Sequence, residues 1–313
     1  MFLRSKYVLP ILFLVFAPLA ASSQVFVGFQ AGSTGKIYEY TPGGANVPGG
    51  GAGGSWSLTD TGTSPFGLAF SPDGNLFVSN VAGNTVQEYD GATGALVGTV
   101  ASGHSSPYNL IFDASSNLYV SEFGGNRVDK FALIAGSYVL QATIGVIAPT
   151  GLALRGSDVL VESFYAATVL DIDPTFTSTS LYATLTDNPL GLAGGPDGRY
   201  YAVTPHNIQV LDPISQTSSV WGATQLPGFA YNAQIAFGGG LAYATSEQGV
   251  RKYDAFTGAT AGVINGMYDD RHNDSVAVRP SAAEGTPEPG AVALGVGALA
   301  SGAFFIRRRR KIS

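Results

Sequence analysis

Apolar and polar positions along this chain repeat with a period of about 40 residues, which indicates a repeat architecture. The pattern of residues 65–90 is repeated at residues 107–131, with apolar, turn and polar positions in the same order. Within one repeat, apolar runs at 68–70 and 76–78 flank a turn rich in Pro and Gly. Residues 85–89 alternate as a half-buried strand should, and 95–100 add a fourth run.

Four antiparallel strands per repeat are typical of a β-propeller blade. Weaker copies begin near Pro149, Pro189 and Ile235, which makes five. The first strand predicted at 275–278 has no partners after it, while the strands predicted between 25 and 40 lack a first strand. Pairing the two ends completes a sixth blade and removes exposed sheet edges. We therefore predict an all-β, six-bladed propeller closed by its terminal strands; five and seven blades are the alternatives.

Residues 1–23 have the pattern of a signal peptide. Arg4 and Lys6 precede an apolar run at 7–16, and small residues follow at 17–22. The run is too short to span a bilayer, so export is favoured over an uncleaved anchor. The chain has no cysteine, which excludes disulfides and thiolate sites.

The phrase from Pro65 to Asn80 resembles the repeats of NHL-type and gluconolactonase/regucalcin-like six-bladed propellers. The resemblance covers residues 24–279. It implies the fold, but such propellers include hydrolases, lyases and binding modules. Gluconolactonase-type enzymes hold a divalent cation at the central channel, so the resemblance also implies that Ca²⁺ or a similar cation could be bound there.

The C-terminus carries a second resemblance. After a linker at 280–286, the motif Pro287, Glu288 and Pro289 precedes an apolar run at 291–306 and a basic tail at 307–311, which contains Arg307, Arg308, Arg309 and Arg310. This arrangement at 287–313 resembles the PEP-CTERM sorting signal of Gram-negative bacteria. The resemblance implies a single transmembrane helix, retention by the arginines and processing by an exosortase, commonly in strains that make exopolysaccharide. A plain tail anchor is the alternative.

Residues 24–279 carry nine Lys and Arg against 20 Asp and Glu, a formal net charge of −11. This charge argues against nucleic acid as a partner, and against an anionic polysaccharide unless cations bridge the two.

Candidate chemistry lies where the second strand of each blade ends, because these loops can converge on the mouth of the channel. The candidate ligand or metal positions there are Asn80, Glu122, Glu162, His206 and Glu247. Their oxygen and nitrogen atoms suit Ca²⁺ or a divalent transition metal, although ordinary polar loop residues are the alternative. His104, in a loop between blades, is predicted to be solvated.

No catalytic set can be named from these residues. The sequence thus favours an exported propeller that binds a ligand or partner, such as exopolysaccharide or an envelope protein, at the cell surface or outside the cell. During sorting it would lie at the inner membrane or in the periplasm. A metal-dependent lactonase or other hydrolase, or a lyase, is the alternative function.

Overall fold

A computed structural model describes residues 24–31, 34–43, 45, 55–61, 65–222, 233–246, 249–264 and 273–279. The predicted signal peptide, linker and sorting signal lie outside this part of the chain, as does Glu247. Within it, no helix has both the length and the apolar character needed to cross a membrane.

The described strands form six four-stranded antiparallel sheets, which confirms the predicted six-bladed propeller. Strands are numbered in chain order. Blades 1 to 3 contain β24 (Asn273–Arg279), β1 (Gln24–Ala31), β2 (Thr34–Tyr40) and β3 (Ser55–Thr61); β4 (Pro65–Phe70), β5 (Leu76–Asn80), β6 (Thr85–Tyr89) and β7 (Leu96–Ser102); and β8 (Pro107–Phe112), β9 (Leu118–Glu122), β10 (Arg127–Ile134) and β11 (Ser137–Gly145).

Blades 4 to 6 each consist of four strands that are consecutive in the chain. They contain β12 (Pro149–Arg155), β13 (Asp158–Ser163), β14 (Thr168–Ile172) and β15 (Thr179–Thr184); β16 (Gly191–Gly194), β17 (Tyr200–Val203), β18 (Ile208–Asp212) and β19 (Thr217–Val220); and β20 (Ile235–Gly238), β21 (Leu241–Ser246), β22 (Gly249–Asp254) and β23 (Thr260–Ile264).

The ring closes through blade 1, as predicted, because β24 pairs with β1 in the register Val27↔Val276. Arg279, the last residue of β24, strengthens this closure. Its guanidinium lies 4.8 Å from the ring centres of both Phe26 and Phe70. It therefore joins blade 1 to blade 2 by cation–π contacts as well as by packing.

The first strand of each blade contacts the first strands of both neighbours, so these six strands surround the central channel. The hydrophobic core lies between blades. One cluster joins blades 2 and 3 through Phe77, Val86, Leu110, Leu118, Val120 and Phe131. Each such buried side chain contributes about 1.5–3 kcal/mol, and the interfaces between blades therefore stabilise the ring.

The propeller has two distinct faces. On the upper face the first strands begin and the second strands end, whereas the lower face carries the turns from first to second and from third to fourth strands. In these latter turns Asp90, Asp212 and Asp254 accept hydrogen bonds from residues two and three further on. Because β1 begins and β24 ends on the lower face, Gln24 and Arg279 both lie there.

Candidate functional site

The strand registers show which residues occupy equivalent places at the end of the second strand. Leu68, Leu110 and Leu152 pair with Val78, Val120 and Val161, respectively. Counting from these pairs, the equivalent positions on blades 2 to 6 hold Asn80, Glu122, Ser163, Thr204 and Ser246. Glu162 lies one residue before its blade's position and His206 two residues after, so the predicted residues do not form a ring of equivalent positions.

Asn80 and His206 each bind a local partner. The buried Asn80 accepts a hydrogen bond of 3.0 Å from the Gly83 N–H, which closes the turn after β5. His206 is exposed, and its Nδ1 lies 2.7 Å from Asp187 Oδ2. Their predicted role in ligand or metal binding stays a prediction.

Glu122 belongs to a buried cluster with His104 and Asp129. The prediction that His104 is solvated is wrong, because this residue is only 7% exposed and its Nδ1 contacts the Glu122 carboxylate. The loop between blades folds back onto the end of β9, and the Ser105 N–H donates to the same carboxylate over 2.9 Å. Sequence reasoning missed this contact because 18 residues separate the two partners.

An arginine neutralises much of this cluster. Arg127 lies 2.8 Å from Glu122 Oε2 and 3.0 Å from Asp129 Oδ2. Burial alone would raise the pKa of Glu122, but hydrogen bonds from His104 and Ser105 outweigh it and hold this pKa below its usual value. Burial raises the pKa of Asp129. The two carboxyl groups therefore have opposite pKa shifts within one hydrogen-bonded network.

Among the described residues, His104, Glu122 and Asp129 are the one group of three whose atoms lie close enough to share a metal ion. The carboxylates stand on β9 and β10, one and two strands outward from the strands that surround the channel. One imidazole and two carboxylates fit a divalent transition metal. Such an ion would compete with the Arg127 guanidinium for the same carboxylate oxygens.

Glu162 is fully buried in blade 4, where burial raises its pKa to about 8. Its Oε2 accepts hydrogen bonds from the Gly151 N–H over 2.9 Å and the Thr150 hydroxyl over 3.1 Å. Within the described part of the chain, its Oε1 has no hydrogen-bond partner. Blades 2 and 3 have Ser79 and Ser121 at the equivalent position. With a pKa of about 8, the protonated and uncharged form of Glu162 predominates at neutral pH.

A hydrogen bond crosses the channel just below the upper face. Asn109 on β8 of blade 3 donates to Gln234 Oε1, which precedes β20 of the opposite blade 6, over 2.7 Å. Gln234 in turn donates to the Leu190 carbonyl over 3.1 Å. Equivalent positions on blades 4 and 5 are Gly151 and Gly191, where close strands leave no room for a side chain. The amide bridge therefore joins opposite blades across the channel at this level.

Five aromatic residues form a continuous group on the upper face of blades 2 to 4, which we call the aromatic platform. They are Phe66, Tyr108, Phe123, Phe164 and Tyr165. Neighbouring ring centres lie 5.1 to 6.1 Å apart, mostly in edge-to-face or tilted contact. Tyr165 is 70% exposed, while Phe66, Phe123 and Phe164 are partly buried.

The apolar surface extends to Ile147, which is 66% exposed in the loop between blades 3 and 4. That loop is held beside the platform, since the Ser163 hydroxyl donates to the Ile147 carbonyl over 2.8 Å. Sequence reasoning missed the platform, although one signal existed. Phe123 and Phe164 each directly follow the equivalent end position of the second strand in successive blades, where a turn normally favours polar residues.

No protein-family profile matches this chain, and no curated protein matches it. Solved structures show a shared fold. A chain of a nidogen/laminin complex has a TM-score of 0.65 at 11% identity, over 82% of this chain and 98% of that one. A virginiamycin B lyase from Staphylococcus aureus has a TM-score of 0.53 at 14% identity, over 74% and 82%. A protein of unknown function from Bacteroides caccae has a TM-score of 0.61 at 13% identity, over 82% and 98%. At these identities the likeness establishes the propeller fold alone.

Proposed function

We propose that this protein is an exported cell-envelope module that binds an uncharged ligand or partner on the upper face of its propeller. The aromatic platform carries this proposal. Tyr165 is exposed, three neighbouring rings are partly exposed and Tyr108 supports them from below the surface. Aromatic rings grouped in this way at the surface of a domain indicate a contact, because water does not favour apolar surface. Aromatic side chains also dominate binding energies at interfaces.

Charge supports an uncharged ligand. The carboxyl groups at the upper ends of blades 3 and 4 are either paired or neutral. Glu122 and Asp129 contact Arg127, and burial keeps Glu162 protonated at neutral pH. The described part of the platform region therefore offers little net charge to attract or repel a ligand. A neutral exopolysaccharide, whose sugar faces stack on aromatic rings, and an apolar surface of an envelope protein both fit.

The position of the two chain ends supports attachment to the membrane on the side of the propeller opposite to the platform. Gln24 and Arg279 lie on the lower face, so a C-terminal sorting helix would leave the propeller there. Until an exosortase processes the motif at Pro287 to Pro289, the C-terminal helix would attach the lower face to the inner membrane. The platform would then be directed away from the bilayer. The platform would then remain accessible to a ligand before and after sorting.

The experiment compares binding by two aromatic variants. Tyr165→Ala removes the most exposed ring of the platform, whereas Phe256→Ala removes a 57% exposed ring from a lower-face turn. Affinity electrophoresis in gels containing neutral or anionic polysaccharides, and capture of envelope proteins, would detect the ligand. We expect Tyr165→Ala to weaken binding about tenfold or more and Phe256→Ala to leave it unchanged. Equal effects of the two variants would refute the proposal.

A metal-dependent lactonase or lyase is the second candidate, and the His104, Glu122 and Asp129 cluster is the observation that favours it. Thermal unfolding with and without EDTA, together with elemental analysis, tests it. A stoichiometric metal that raises the melting temperature of the wild type and not of Glu122→Gln would support the enzyme. An identical rise in the variant would remove this site from consideration.

A further inference from the structure

The hairpin between the third and fourth strands of blade 3 has a longer paired stem than the hairpins of blades 2, 4 and 6. The last residue pair that joins β9 to β10 is Leu118↔Phe131, yet β10 and β11 continue to pair through residues 132–139. In blades 2, 4 and 6 the third strand ends level with the second. Three extra residue pairs at ~3.3 Å per residue make this projecting hairpin roughly 10 Å longer than β9 at its lower end. The ring of Tyr138 at its base packs against Phe77 and Phe112, with ring centres 5.5 and 6.1 Å apart.

The projecting hairpin is apolar and uncharged. Leu133 and Ile134 are 46% and 49% exposed, and residues 131–145 contain no charged side chain. Val139 and Leu140 on β11 are also exposed, as are Leu96 and Val97 on β7, a strand that contacts β11. These six residues are half of the twelve exposed large hydrophobic residues in the described part of the chain. Edge strands of monomeric proteins are normally protected by charge, which is missing here.

The position of this surface indicates what covers it. The chain leaves the propeller at Arg279 on the same lower face, and the sequence continues for 34 residues that include the apolar run at 291–306. We propose that the projecting hairpin inserts into the surface of a lipid bilayer beside the C-terminal segment. Its exposed Leu133 and Ile134 are side chains of the kind that interfacial elements bury at the boundary between headgroups and acyl chains.

The charge of the lower face indicates which lipid headgroups the hairpin could approach. Carboxylates in its turns include Asp73, Asp90, Asp113, Asp173, Asp212 and Asp254. Hydrogen bonds within the turns hold the pKa values of Asp90, Asp173, Asp212 and Asp254 below their usual range, so these groups are ionised at neutral pH. They repel anionic headgroups within about a Debye length. The hairpin therefore fits a zwitterionic surface better than an anionic one.

Insertion would give the propeller a second attachment point besides its tail. A tail alone allows the domain to tumble, whereas two contacts on one face fix that face toward the membrane. The aromatic platform would then point away from the bilayer. The proposal does not depend on ligand binding by the platform, so the two can fail separately.

The test uses residues 24–313, which retain the C-terminal segment, and exploits the lack of native cysteine. A single cysteine is introduced by Ile134→Cys in the hairpin, or by Val220→Cys as a control. Val220 has a similar exposure of 50% but ends β19 toward the upper face. Each variant is labelled with an environment-sensitive fluorophore and mixed with phosphatidylcholine vesicles, with or without a shallow nitroxide quencher on the lipid.

We expect the label at position 134 to shift to shorter wavelength and to be quenched, while the label at 220 does neither. Replacing a third of the lipid with phosphatidylglycerol at low salt should reduce the shift. The proposal is overturned if vesicles bind the protein without changing the label at 134, if they do not bind it at all, or if both labels respond equally. A shift that depends on protein concentration without vesicles would instead assign the hairpin to contact with a second copy. Tyr165→Ala should leave the shift unchanged, which separates this result from failure of the platform.

Discussion

Replacing Glu162 with glutamine should make the stability of the propeller less dependent on pH. Glutamine has nearly the same shape as protonated glutamate, and its amide oxygen can accept the bonds that Gly151 and Thr150 donate. The variant cannot ionise, so it removes only the cost of keeping a buried carboxyl group protonated when the solvent would deprotonate it.

The sign and size follow from the two pKa values of Glu162. Its pKa is about 8 in the folded protein and 4.5 in the unfolded chain. Between these pH values the folded state binds more protons than the unfolded chain. The contribution of Glu162 to the free energy of unfolding is therefore fully present below pH 4.5 and falls as pH rises toward 8. Linkage gives a loss of about 3 kcal/mol from this group between pH 5 and pH 7.4. Glu162→Gln should abolish that part of the pH dependence.

Urea denaturation at several pH values between 5 and 8 measures the effect. The matched control is Asp212→Asn, because hydrogen bonds from Ser215 and Ile214 lower the pKa of this exposed carboxyl group. Its titration lies below the pH range used, so the control should retain the slope of the wild type. If Glu162→Gln and wild type show parallel curves of unfolding free energy against pH, Glu162 is already ionised in the folded protein and the reasoning is refuted.

Two further predictions concern the upper end of the channel. Gly151→Ala should destabilise the protein by about 1–3 kcal/mol, because the new Cβ would overlap the Leu192 backbone nitrogen. Gly98→Ala, where a Cβ meets nothing within 4 Å, is its control in thermal unfolding and should change stability by less than about 0.5 kcal/mol. Asn109→Ala should cost about 1–3 kcal/mol by removing the donor to Gln234 Oε1. A double-mutant cycle with Gln234→Ala should show coupling, and additive losses would mean that the bridge does not form.

The candidate site was only partly predictable. Glu122 and Glu162 do lie near the ends of second strands, yet their environments differ completely, and their predicted role in ligand or metal binding stays a prediction. Glu122 contacts His104 and Arg127, while Glu162 lies protonated between strands. A shift of one residue separates the two positions, and the sequences of degenerate repeats do not define the register to within one residue. The burial of His104 likewise depends on how a loop folds back, which residue type alone does not reveal.

The number of blades and the closure of the ring were predictable from the chain, because both depend on local patterns. A strand of alternating residues and a turn with Pro, Gly or Asp form for reasons contained in a few neighbouring residues, and the repeat multiplies that signal. The orphan strands at the two ends had to pair, since exposed edges are unfavourable.

Tertiary structure alone decided which side chains meet. The bridge between Asn109 and Gln234 joins residues 125 positions apart because closing a six-bladed ring places blades 3 and 6 opposite each other. The aromatic platform arises similarly, from the starts of first strands and the turns after second strands of successive blades, which meet on one face. Such contacts depend on the radius of the ring and on the register of each strand, and both are set by packing between blades rather than by any short stretch of residues.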